Sequence, residues 1–181
     1  MMDLIIREFR DADAAAFTLA VNQSLDSLLP WMSWAHQNYS EANALLWFNL
    51  TRQQRQQGVA DERGLFTREG DFLGGIGLHY NRDPQVPPAI GYWIRSSEQQ
   101  KGIASTAVHQ LATEIFAQRN IDVLEILIAE ENTASRAVAL KVGAKEMDVR
   151  YGLIVLDDGP VNTVIYHLHR TDNQRDMKNK R

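Results

Sequence analysis

The sequence predicts a mixed α/β fold of the α+β kind, a mostly antiparallel central sheet of about seven strands flanked by helices on both faces. Three observations carry that expectation. Short runs rich in Val, Ile, Leu and aromatic residues are bounded by turn residues. Helical spacing of apolar residues recurs between some of these runs. The order is strand, helices, three strands, helix, strand, helix, two strands, which places hairpins around a βαβ-like middle.

Each element has a local reason. Residues 4–9, with the β-branched Ile5 and Ile6, form the first strand. Asp11 or Asp13 can then cap a helix through Ala14, Ala15, Ala16 and Phe17 to about Val21, because carboxylate oxygens satisfy free N–H groups. Residues 24–34 hold a short apolar helix interrupted at Pro30. Ser40 starts a stronger helix, with Ala44, Leu45, Trp47, Phe48 and Thr51 near helical spacing and Gly58 as its stop. Strands over 64–68 and 72–79 flank the turn Glu69-Gly70-Asp71, and the Pro-rich stretch 81–88 is a loop. Residues 89–95 are the central strand. A loop over 96–101 leads into a helix over 102–119, with Ile103, Ala107, Leu111 and Ile115 on one face. Residues 122–129 are a buried strand, Asn132 caps a helix ended by Gly143, and strands over 145–156 and 161–169 close the fold. Residues 1–170 read as one domain and 171–181 as a flexible polar tail.

Composition narrows the function. The chain of 181 residues is 44% hydrophobic and 23% charged, as ordinary globular proteins are. No apolar run approaches the roughly 20 residues that span a bilayer, and the start lacks a secretory pattern. A cytoplasmic enzyme without membrane contact is expected. With no cysteine there is no disulfide, thiolate metal site or thiol nucleophile. A net charge of -4 argues against nucleic acid as a direct partner and suits an amine or cationic peptide. No heptad or distinct interface pattern occurs, so the oligomeric state is open, a homodimer included.

The informative stretch is Gly91-Tyr92-Trp93-Ile94-Arg95-Ser96-Ser97-Glu98-Gln99-Gln100-Lys101-Gly102-Ile103-Ala104, a strand, a short loop and a helix start. Gly102 and Ala104 let backbone N–H groups approach an anion at the positive end of the helix dipole. Lys101, Gln99 and Gln100 add donors, and a pyrophosphate fits such a site. Alone, Gly-x-Ala is also compatible with an ordinary helix start. No nucleoside-triphosphate loop and no dinucleotide loop occurs.

Gln99-x-x-Gly102-x-Ala104 after the Gly91-Tyr92-Trp93-Ile94 strand resembles the acyl-CoA signature, Gln/Arg-x-x-Gly-x-Gly/Ala, of the GNAT-family N-acetyltransferases. The likeness runs from Leu4 to about His169. Leu29-Pro30-Trp31-Met32-Ser33-Trp34 and Asn132-Thr133-Ala134-Ser135 make it most similar to RimJ/RimL-type ribosomal-protein N-terminal acetyltransferases. The resemblance implies a sheet whose central strands splay apart around acetyl-CoA as cosubstrate, with no metal. The backbone of Trp93 and Ile94 would hold the pantetheine arm. The run Gln99, Gln100, Lys101, Gly102, Ile103, Ala104, Ser105 would hold the pyrophosphate. An N–H near Tyr92 or Trp93 would stabilise the oxyanion. Many relatives place a tyrosine seven residues after the asparagine, and here that position is Ala139. The RimL-like pattern instead has a serine three residues on. Ser135 would donate to the leaving sulfur while Asn132 holds the pantetheine amide. The family's Gly-Phe is Gly143-Ala144 here.

The general base is unassigned. Glu62, Glu98, Glu41, His79 and His36 are candidates, and Ala89 stands where many relatives carry a glutamate, so a water relay is expected. Trp31, Trp34, Tyr39, Trp47 and Phe48 either pack helices onto the sheet or line the acceptor groove. The expected activity is transfer of acetyl from acetyl-CoA to a primary amine, a protein N-terminus or a small molecule. A noncatalytic acyl-CoA-binding module is the competing class.

Overall fold

The computed structural model describes residues 3–178. Seven strands follow in chain order, β1 (Ile5–Arg7), β2 (Ala60–Phe66), β3 (Phe72–His79), β4 (Ala89–Ile94), β5 (Val123–Ala129), β6 (Lys145–Leu156) and β7 (Gly159–His169). The helices are α1 (Ala14–Gln23), α2 (Leu25–Leu28), α3 (Glu41–Gln57), α4 (Ile103–Gln118), α5 (Thr133–Lys141) and α6 (Arg170–Lys178). The sheet order is β1-β2-β3-β4-β5-β7-β6, antiparallel at β1/β2, β2/β3, β5/β7 and β6/β7 and parallel at β4/β5. The mixed, mostly antiparallel seven-stranded sheet is the one expected. No helix among the described residues is long and apolar enough to cross a membrane.

Two compact units share the chain, one reaching up to His79 and resuming over Tyr92–Ile103, the other made of Tyr80–Gly91 and the chain from Ala104 onward. In the first, α1 and α3 lie against β2 and β3 around Phe9, Phe17, Phe48, Phe66 and Phe72, all buried. Phe9 stacks on Phe48 with ring centroids 4.6 Å apart, and Phe17 meets Phe48 edge-on at 5.2 Å. Each such side chain contributes roughly 1.5–3 kcal/mol by leaving water. Helix α3 begins where the sequence places it. Ser40 Oγ accepts from the Asn43 N–H at 3.1 Å, the Asn43 side chain accepts from the Ser40 N–H at 2.9 Å, and Gly58 ends the helix at φ 69°.

In the second unit β7 lies between β5 and β6 and is antiparallel to both, with Leu124, Ile126, Val164, Tyr166 and Leu168 buried. Ala107, Leu111 and Ile115 make the buried face of α4, as their spacing predicts, and Ile103 is buried as well. The Tyr166 hydroxyl, carried by a fully buried ring, accepts from Arg136 Nε at 2.9 Å.

Several boundaries differ from expectation. Strand β1 is shorter, β2 starts at Ala60, β7 starts at Gly159, and α2 stops at Leu28, before Pro30. Asp13 stands at the N-cap of α1, but its side chain makes no cap hydrogen bond to that helix. Its carboxylate accepts from the Arg10 N–H at 2.7 Å and from the Arg7 guanidinium at 2.8 and 2.9 Å. Helix α6 covers the first part of the polar 171–181 segment and is anchored by polar contacts that carry no apolar signature. Arg170 Nε donates to Asp122 at 3.1 Å and its Nη2 to the Ile121 carbonyl at 2.7 Å. Buried Asn173 meets His109 Nδ1 at 2.7 Å and donates to Thr113 Oγ1 at 2.9 Å. Residues 179–181 lie outside the described residues.

Candidate active site

Strand β4 has two hydrogen-bonding edges, and alternation assigns each residue to one of them. The Arg95 N–H donates to the Leu73 carbonyl at 2.9 Å, and a Cβ at Gly74 would collide with the Trp93 carbonyl oxygen. Trp93 and Arg95 therefore turn their backbone groups toward β3. Tyr92 and Ile94 turn theirs to the opposite edge. The parallel register begins at Ala89, opposite Glu125, whose N–H donates to the Pro88 carbonyl at 2.8 Å. Of the two backbone residues expected to hold pantetheine, Ile94 turns its groups away from β3 and Trp93 turns its groups toward it. The Trp93 indole packs instead, 5.8 Å from Phe17, 5.5 Å from Trp34 and 5.7 Å from Phe72.

The loop after β4 is braced at its base. Arg95 reaches the Phe72 carbonyl at 3.2 Å and Gln23 at 2.6 Å, the Ser96 N–H donates to Ser24 Oγ at 2.9 Å, and Ser96 and Ser27 hydroxyls lie 3.0 Å apart. Gln99 turns its amide back onto the Ile94 carbonyl at 3.2 Å, bracing the loop from within. Gln100 at φ 61° and Gly102 at φ 78° are both left-handed, one on each side of Lys101. Left-handed residues in such a turn gather backbone N–H groups into a concavity suited to an anion. This one opens at the first turn of α4, where Ile103 and Ser105 are buried and Ala104 is half-buried. Lys101 is held by Glu98 at 2.9 Å, a bond that lowers the Glu98 pKa.

Strand β5 leads into α5 by a different device. Asn132 caps the helix, its Oδ1 accepting from the Ser135 N–H at 3.3 Å. With the oxygen so used, the amide NH2 is the donating end. Ser135 is the third residue of α5, half-buried, where the helix dipole favours a developing thiolate. Ala139 is fully buried, so the position of the tyrosine common in relatives lies inside the packing here.

Among the proposed bases, Glu62 and His79 come together at 2.5 Å. A Cβ at Gly77 would collide with the Glu62 carboxylate, and one at Gly75 would meet Trp93 Nε1 at 2.7 Å. Gly75, Gly77 and His79 alternate along β3, so indole, carboxylate and imidazole stand in a row on one face. The hydrogen bond to Glu62 raises the His79 pKa against the opposing effect of burial, which makes the imidazole a better proton acceptor. Glu98 is tied to Lys101, while Glu41 and His36 are exposed.

A second pair was missed in the sequence. His167 Nε2 lies 3.1 Å from Glu125, and Glu125 is the cross-strand neighbour of Ala89. Its one signal was a carboxylate inside an otherwise apolar strand. Of the five aromatics considered for an acceptor groove, Tyr39 and Phe48 belong to the core. Burial raises the Tyr39 pKa to about 12. Trp34 and Trp47 pack against that core, and Trp31 is half-buried.

Residues 3–145 match the acetyltransferase (GNAT) domain model. The chain belongs to the GNAT acetyltransferase family. It is similar to a Bacillus subtilis (strain 168) protein provisionally named ribosomal N-acetyltransferase YdaF, 29% identical over 168 residues that span 91% of this chain and 89% of the relative. Among solved structures, Mycobacterium smegmatis RimJ in complex with CoA-disulfide superposes with a TM-score of 0.87 at 21% identity, over 98% of this chain and 90% of that one. RimL, a ribosomal L7/L12 α-N-protein acetyltransferase in complex with coenzyme A, gives 0.82 at 20% identity, over 92% and 93%. These structures share the GNAT fold with this chain.

Proposed function

We propose that this enzyme transfers the acetyl group of acetyl-CoA directly to the N-terminal amine of a protein, with ribosomal proteins as the acceptor class. The observation that carries the reading is the pair of left-handed residues around Lys101 at the head of α4, a backbone conformation that suits a pyrophosphate. The acceptor class rests on the similarity to YdaF and on the RimJ and RimL structures.

In this reading N–H groups of residues 100–104 hold the pyrophosphate, with Ser105 closing the first turn. The outward edge of Ile94 pairs with the pantetheine arm, and the Asn132 NH2 donates to a pantetheine carbonyl. A neutral amine attacks the acetyl carbon as an N–C bond forms, and the Tyr92 N–H stabilises the oxyanion. The C–S bond then breaks, Ser135 donates to the departing sulfur, and the amine's proton passes to a carboxylate–imidazole pair through water. Glu62–His79 is the favoured acceptor, because it shares a β3 face with the Trp93 indole.

The test is steady-state release of free CoA thiol with N-terminal peptides of ribosomal proteins, polyamines and aminoglycosides. The chain has no cysteine, so it contributes no thiol background. Turnover on the peptides is expected. Turnover only on small amines would reassign the acceptor, and tight acetyl-CoA binding without any turnover would leave a binding module.

A further inference from the structure

The last turn of α1 ties down two loops at once. Gln23 and Ser24 hold the loop after β4, accepting from Arg95 at 2.6 Å and from the Ser96 N–H at 2.9 Å. Their neighbour Asn22 holds the chain that joins α2 to α3. Its Nδ2 donates to the Tyr39 carbonyl at 2.8 Å, and its Oδ1 accepts from the Tyr39 N–H at 3.1 Å. The same Nδ2 donates to the Thr18 carbonyl at 3.1 Å, which fixes the carboxamide on its own helix. Both donors and the acceptor of the side chain are thereby used. A carboxylate there would set an oxygen against two carbonyls, and a methyl group would bond nothing.

Tyr39 lies at the end of a run of ring contacts that leads to β4. Asn38, left-handed at φ 56°, turns the chain into it. The buried Tyr39 ring is 6.0 Å from Phe17 and 6.1 Å from Trp34, and Trp34 is 5.5 Å from Trp93. Trp93 adjoins Tyr92, whose N–H is assigned to the oxyanion, and its indole shares a β3 face with Glu62 and His79. The loop that carries Trp34 and the loop that follows β4 are therefore referenced to one helical turn.

We propose that Asn22 is a positioning residue for the acceptor amine. By bonding both main-chain groups of Tyr39 it keeps Trp34, as a wall of the acceptor groove beside Trp93, in register with the cosubstrate loop held by Gln23 and Ser24. This role presupposes the acetyl transfer proposed above. A wall ordered in advance spares the incoming amine the cost of ordering it. Loosening it weakens binding of the amine without touching the chemical step.

Asn22 is exposed, so its replacement opens no cavity. Asn22→Ala is to be assayed at saturating acetyl-CoA with whichever amine the wild-type enzyme acetylates. The KM for that amine is expected to rise at least about tenfold, with kcat within about threefold and the acetyl-CoA Kd within about twofold by calorimetry. Ser24→Ala leaves the Ser96 N–H without its acceptor and should split the other way, with the acetyl-CoA Kd raised about fivefold or more and the amine KM within about twofold. In the free enzyme, Asn22→Ala should speed hydrogen exchange of the Tyr39 amide at least about tenfold. The adjacent Ser40 amide, bonded to Asn43 at 2.9 Å, should keep its wild-type rate. Asn43→Ala is the structural control, because it removes part of the α3 cap: stability in urea falls and the amine KM stays put. Normal wild-type turnover with an unchanged amine KM in Asn22→Ala overturns this role alone. So does an amine KM that rises equally in Asn43→Ala, an equal rise in amine KM and acetyl-CoA Kd, or an unchanged Tyr39 exchange rate. A wild type that turns over no amine removes the acetyl-transfer reading and this role together.

Discussion

Two strand-to-helix connections in this enzyme are built in opposite ways. Between β4 and α4 the backbone acts: Gln100 and Gly102 take left-handed conformations, and nearby side chains are spent on bracing, Gln99 onto Ile94 and Lys101 onto Glu98. Between β5 and α5 the side chains act: Asn132 caps with its oxygen and presents its NH2, and Ser135 offers a hydroxyl inside the first turn. A backbone site tolerates many side chains and depends on conformation. A side-chain site tolerates conformation and depends on identity. Substitutions should therefore separate them.

The largest effect is expected at Gly102. A β-branched residue at φ 78° adds strain of about 1–3 kcal/mol and bulk at the anion's approach. Gly102→Val should lower acetyl-CoA affinity by tenfold or more in calorimetry, and an unchanged affinity would mean that the pyrophosphate binds elsewhere. Next comes Ser135→Ala, with kcat down on the order of 100-fold and acetyl-CoA affinity within about twofold. Full turnover in single-turnover assays would remove the hydroxyl from the chemistry and break the contrast. Asn132 separates its own two tasks. Asn132→Ala should cost about 1 kcal/mol of stability in urea unfolding, while Asn132→Asp keeps the cap and loses only the donor. The Asp variant should then show near wild-type stability with a raised KM for acetyl-CoA, and equal stability losses in both variants would contradict the division of labour. The smallest effect is at Gln100. Glycine there removes roughly 1–2 kcal/mol of left-handed strain and adds about 0.5–1 kcal/mol of unfolded-chain entropy. Gln100→Gly should leave stability within about 1 kcal/mol and affinity unchanged, because the loop supplies backbone and not this side chain.

Much of this contrast was legible beforehand. Gly102 and Ala104 at a helix start, Ser40 at the head of a helix, and Asn132 before a periodic run are local signals, since caps and turns are decided within a few residues. The departures came from distant partners. Asp13, an expected cap, is drawn away by Arg7 and Arg10. The Glu125–His167 pair joins residues 42 positions apart. Helix α6 is held by Arg170 and Asn173 reaching back to residues about 50–60 positions earlier, which no periodicity within the tail announces.

The sequence by itself determined the order of elements, the mixed sheet and the acetyl-CoA signature, because periodicity, capping and glycine placement are properties of neighbours along the chain. Only the tertiary structure decided which edge of β4 faces away from β3, that Ala139 is sealed in the packing, that Glu62 and His79 meet over the bare face of Gly77, and that β6 is the last strand in the sheet order. Those outcomes depend on strand register and on which surfaces are left over after packing, and both are set by residues far apart in sequence.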